Sequence, residues 1–125
     1  MNVLERFLKY VQIDTQSDEA TGTSPSTAKQ HDLAGLLKQE LEDMGAEDVL
    51  YDAEHCYVYA TIPVSKGYEN NPVIGFIAHM DTAPSMSGTN VKPQIIETYD
   101  GKDIVLNSSP EIILKITEFP EILKY

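Results

Sequence analysis

The chain has 125 residues, 42% of them apolar and 23% charged, and a formal charge of −11. That is enough for one modest domain with a buried core, and the negative charge argues against partners that are themselves anionic, nucleic acid and acidic membrane surfaces among them. One cysteine, Cys56, precludes an internal disulfide, which suits a reducing compartment. No apolar run approaches the ~20 residues of a membrane span, and the expected location is cytoplasmic.

Asn2 followed by Glu5 has the spacing of a capping box, and Val3, Leu4, Phe7, Leu8 and Val11 fall on one helical stripe. A short amphipathic helix is expected over residues 3–12. The polar stretch from Asp14 to Thr27 reads as a loop. Ser24-Pro25 supplies a helix start, with Ser24 as cap and Pro25 at the first helical position. Ala34, Leu37, Leu41 and Met44 then recur at spacings of three and four, Leu33 and Leu36 widen the stripe, and Gly45 closes the helix in the left-handed conformation.

Two strands follow, Asp48 to Ala53 and Tyr57 to Ile62, and their short connection predicts a hairpin. Val73-Ile-Gly-Phe-Ile-Ala78 is nearly continuous in apolar character, as expected of an interior strand covered on both faces. Further strands are expected near Ile95-Ile96 and Ile104-Val105-Leu106. The stretch from Glu111 to Tyr125 fits either strand or helix, with Pro120 interrupting it. Helices alternating with strands imply an α/β fold with a mixed, mostly parallel sheet flanked by helices. The apolar final segment resembles an element cut in its middle, and an open apolar sheet edge predicts either self-association, a homo-oligomer included, or a rearranged C-terminal segment.

The chemistry concentrates where the apolar run ends, in Ala78-His-Met-Asp-Thr-Ala-Pro84. Residues two apart on a strand share a face, so His79 and Asp81 project together at a strand's carboxyl end, where α/β sheets gather ligands. A metal-binding imidazole commonly gives its second N–H to a carboxylate, which fixes the tautomer and raises the basicity of the ligating nitrogen. The alternative is a strand end followed by an Asx turn. Two residues do not complete a catalytic zinc site, which takes about three protein ligands and a water.

This segment resembles the His-x-Asp-Thr-x-Pro motif of the two-zinc exopeptidases that include aminoacylase and carboxypeptidase G, and is most similar to their tripeptide aminopeptidases. Leu4-Glu-Arg-Phe-Leu8, Tyr10-Val11, Ile13-Asp-Thr-Gln-Ser17, Pro25-Ser-Thr27, Leu36 to Gly45, Ile74-Gly-Phe-Ile77 and Asn90 to Ile95 carry the resemblance along the chain. It implies that residues 1–125 form the N-terminal portion of a zinc-exopeptidase catalytic domain, without the dimerisation or lid domain. It implies His79 as a zinc ligand and Asp81 as the catalytic-site residue that orients it. Two zinc ions and tripeptide substrates are implied for a full-length enzyme. The family's Gly-Ala-Asp-Asp-Lys segment, Glu-Glu pair and late histidine do not follow His79 here, so the chain alone is expected to be inactive. A non-catalytic α/β module with a relic motif, or an amidohydrolase with another amide substrate, are the alternatives.

Other reactive residues are set aside. His31 reads as a solvated helix histidine, and His55 and Cys56 as turn neighbours pointing apart. Ser17 and Ser26 lack a nucleophile elbow. The acids Glu40, Glu42, Asp43, Glu47 and Asp48 read as a solvated face, and Tyr57 with Tyr59 as packing on one strand face.

Overall fold

The computed structural model describes residues 1–124. They divide into two compact units, Met1–Pro93 and a second beginning at Gln94. In the first unit, helix α1 spans Val3–Tyr10 and opens with the expected capping box. Asn2 Oδ1 accepts from the Glu5 amide at 2.9 Å, and the Asn2 amide donates to Glu5 Oε2 at 2.7 Å. Its orientation departs from expectation. Val3, Leu4 and Phe7 are exposed, and the polar face docks instead, through Arg6, Lys9 and Tyr10 on the carboxylate of Glu40. Of the apolar stripe, only Leu8 and Val11 are half-buried, and the ion cluster ties the helix to Glu40.

Helix α2 is Gln30–Asp43, starting later than Ser24-Pro25 predicts. The hydroxyls that follow Ser24-Pro25 bond back to the preceding loop. Ser26 Oγ accepts from the Asp18 amide at 3.1 Å, and Thr27 Oγ1 donates to the Gln16 carbonyl at 2.8 Å. They pin the preceding loop, and the helix begins only after it. The other end is as expected. Gly45 has φ +80°, its amide donates to Glu42 O, and the Ala46 amide donates to Leu41 O at 3.0 Å. These two bonds are the Schellman pattern, and they satisfy carbonyls the helix leaves open.

Strands β1 (Glu47–Asp52) and β2 (Tyr57–Thr61) form the predicted antiparallel hairpin. Asp52 Oδ1 accepts from the amides of Glu54 and His55, and Cys56 completes the turn at φ +61°. Helix α2 packs on this hairpin. The buried apolar residues are Leu33, Ala34 and Cys56. His31 is half-buried rather than fully solvated: its Nδ1 hydrogen-bonds the Tyr51 hydroxyl, with the rings edge to face at 6.1 Å, which ties α2 to β1.

In the second unit, β3 (Ile104–Ser108) and β4 (Glu111–Leu114) form another antiparallel hairpin, and a 3-10 turn covers Pro120–Lys124. The strand expected at Ile104 is present, whereas Ile95-Ile96 is not a strand. The ambiguous stretch after Glu111 resolves into strand, then turn, with Pro120 opening the turn.

The overall class is α/β, with two helices and two small antiparallel sheets. A mixed, mostly parallel sheet is not formed among the described residues, where parallel pairing is confined to a bridge between Gln16 and Thr82. The segment expected to be its interior strand, Val73 to Ala78, is extended but joins no ladder, and Val73, Phe76 and Ile77 lie open to solvent. An apolar run of this kind becomes a strand only when neighbours pair with both edges and cover both faces. None of the described residues does so. No helix among the described residues is long and apolar enough to cross a membrane.

Candidate metal-ligand site

His79 and Asp81 meet, with His79 Nδ1 3.1 Å from Asp81 Oδ1, although the strand expected to present them is not formed among the described residues. A carboxylate only accepts, so Nδ1 carries the proton and Nε2 is the free donor atom. The imidazole is 84% exposed and the carboxylate 42%. The arrangement can offer one nitrogen ligand of fixed tautomer to an incoming ion. It cannot complete a site by itself: no group of three or more His, Cys, Asp or Glu side chains able to hold a metal occurs among the described residues.

The chain around the pair is held from one direction. Upstream, residues 73–78 have no ladder partner. Downstream, a strap formed by Asp14 to Ser17 grips the backbone leaving Asp81. The Thr82 amide donates to Thr15 O at 3.1 Å, and the Ser17 amide and hydroxyl both donate to Thr82 O at 2.9 Å. Gln16 Nε2 donates to the carbonyls of Pro84 and Met86, each at 2.9 Å. Thr15 is buried beneath this contact.

Asp14 fixes the strap in turn. Its Oδ1 accepts from the Gln16 amide at 3.0 Å, and its Oδ2 accepts from Lys29 Nζ at 3.0 Å and Thr89 Oγ1 at 2.8 Å. The Gln16 amide, then Lys29 and Thr89, hold its carboxyl below the usual aspartate range. Gly88 leaves room for this carboxylate, since a Cβ there would sit 2.5 Å from Asp14 Oδ1 and 3.5 Å from Asp14 Cα. Gly88→Ala should therefore displace Asp14 and loosen the strap, destabilising the unit by about 1–3 kcal/mol. Denaturant titration of the purified variant checks this, and wild-type stability would contradict the close approach.

A cavity of about 740 Å³ opens beside the pair, lined by Leu33, Leu37, Leu41, Met44, Val58 and Val91 together with His79 and Asp81. It joins an apolar wall from α2 to the polar dyad. Nothing in the sequence spacing announces the strap, because its contacts join residues 65 to 70 positions apart. Asp14-Thr-Gln-Ser17 stands out only as part of the family resemblance.

The residues set aside keep structural roles. Ser17 donates to the Thr82 carbonyl, and Ser26 accepts from the Asp18 amide and Gln30 Nε2. His55 pairs with Asp52 at 2.9 Å, which raises the imidazole's pKa, and stacks on Tyr57. Burial pushes the Cys56 thiol up, away from thiolate chemistry. Among the acids read as a solvated face, Glu42 pairs with Lys38 and Asp43 accepts from Gln39. Glu40 is the exception, being buried beneath Arg6, Lys9 and Tyr10.

No protein-family profile matches the chain. Individual relatives match closely. The Peptidase T of Alkaliphilus oremlandii is 54% identical over 125 residues, that of Desulfitobacterium hafniense 52% over 124, and that of Geobacillus thermodenitrificans 54% over 123. Each match covers 98–99% of this chain and 29–30% of the relative. The chain thus spans about 30% of the length of the curated relatives it matches. Across its whole length, therefore, this chain is homologous to the N-terminal part of proteins named Peptidase T.

Proposed function

We propose that the chain is the leading part of the catalytic domain of a zinc-dependent, cytoplasmic aminopeptidase that acts on tripeptides. In this reading it supplies one metal ligand, His79, and the carboxylate that orients it, Asp81. The observation that carries the reading is the 3.1 Å contact between His79 Nδ1 and Asp81, made within a chain more than half identical to Peptidase T proteins. The donor set fits zinc, since a neutral imidazole with its second nitrogen tied to a carboxylate is a common zinc ligand. When bound, zinc supplies an activated water and a Lewis acid for the scissile carbonyl.

This chain's own part is to hold the neutral imidazole in its Nδ1–H tautomer, through Asp81. The remaining ligands, the general base and a second zinc would come from outside these residues, as would the mostly parallel sheet that Val73 to Ala78 would join. One ligand does not activate water, so the chain alone is inactive. Purified residues 1–125 should bind zinc far more weakly than an assembled three-ligand site, and should not hydrolyse tripeptides. Tight stoichiometric zinc binding, or hydrolysis abolished by His79→Ala, would overturn the claim of inactivity.

A further inference from the structure

The dyad's geometry needs an anchor, and the structure offers it on one side. Upstream of His79 the backbone of residues 73–78 joins no ladder, and its apolar side chains are exposed. Downstream, Thr82 is gripped by Thr15 and Ser17. The Gln16 side chain extends that grip to Pro84 and Met86. Asp81 is the residue between the free side and the held side.

Every polar group of the Gln16 amide is engaged. Its Oε1 accepts from Lys29 Nζ at 3.3 Å, and its Nε2 donates to two carbonyls at 2.9 Å. The lysine also fixes which way round the amide lies, because only Oε1 can accept from an ammonium. A carboxylate at this position would keep the lysine but face two carbonyl oxygens with no proton to give. The amide is therefore required, beyond the shape of the side chain.

We propose that Gln16 is a positioning residue for the site: by bracing Pro84 and Met86, just beyond the grip on Thr82, it holds the Asp81 carboxylate against His79 Nδ1, and so keeps Nε2 as the free donor. The proposal rests on the reading of His79 as a metal ligand given above. It adds the residue that sets the ligand's tautomer from outside the motif.

The test is a long-range 1H–15N correlation of the imidazoles in the 15N-labelled, metal-free chain, at a pH where His79 is neutral. Wild type should show His79 in the Nδ1–H form, and Asp81→Ala should give a mixture. Gln16→Glu, isosteric but lacking the donor, should lower the ratio of Nδ1–H to Nε2–H by about tenfold, the scale of one charge-assisted hydrogen bond. Gln16→Ala should act in the same direction, and serves if the glutamate variant fails to fold. The β1–β2 hairpin resonances should be unchanged in a folded variant, a pattern that a general loss of structure would not give. A wild-type tautomer in both Gln16 variants, with Asp81→Ala still mixed, would overturn the positioning role and leave the dyad standing. A tautomer mixture in wild type itself would overturn the dyad and the ligand reading with it.

Discussion

Leu33→Ala should destabilise the first unit by about 3 kcal/mol, the usual cost of truncating a buried leucine to alanine. Leu33 is one of three buried apolar residues among those described, beside Ala34 and Cys56, and it belongs to α2, which packs on the β1–β2 hairpin. A domain's whole margin is about 5–15 kcal/mol, and a core this small has little to compensate with. The variant should unfold at clearly lower denaturant than wild type in a far-UV circular dichroism titration. An unchanged midpoint would mean that α2 is held by something other than this contact.

Glu40→Ala should release α1. The carboxylate accepts from Lys9 at 2.8 Å, lies 3.3 Å from Arg6, and accepts from the Tyr10 hydroxyl. Removing one side of a buried pair costs up to about 5 kcal/mol. Arg6 and Lys9 both reach water, so about 2 kcal/mol is expected here. The readout is proteolysis within residues 1–12, rapid in the variant and slow in wild type. Equal protection would show that α1 is held by other contacts.

The same cluster predicts a pH dependence. Lys9, then the Tyr10 hydroxyl, lower the pKa of Glu40. A carboxylate lowered in the folded state adds stability above its unfolded value, about 4.3. That stability is lost as pH falls through the lower folded value. Burial and Glu40 raise the pKa of Tyr10, so its contribution is present below about pH 10 and lost above it. Helix α1 should stay docked across neutral pH and detach at both extremes.

Features encoded within a few residues were legible in the sequence. The Asn2–Glu5 box, Gly45 beyond α2 and the Asp52–Tyr57 turn each depend on local backbone chemistry. The His79–Asp81 pairing was legible as a two-residue spacing, although the strand invoked to present it is not formed among the described residues. Contacts between distant segments were not. Gln16 looks like any polar loop residue until residues 84–86 lie against it, and Glu40 looks like its acidic neighbours until α1 docks. The run from Val73 to Ala78 signals a need for cover without saying what covers it. Ser24-Pro25 misled because Ser26 and Thr27 bond back to Asp18 and Gln16 and the helix starts only after them.

The most direct measurement of the central claim joins this chain to the remaining portion of a relative. Residues 1–125 would replace the leading 30% of the Alkaliphilus oremlandii Peptidase T, and tripeptide hydrolysis would be assayed with zinc, after chelation, and with His79→Ala. The account predicts hydrolysis that chelation removes and zinc restores, reduced by several orders of magnitude in the His79→Ala chimera. A folded chimera that hydrolyses tripeptides equally well without His79 would contradict it.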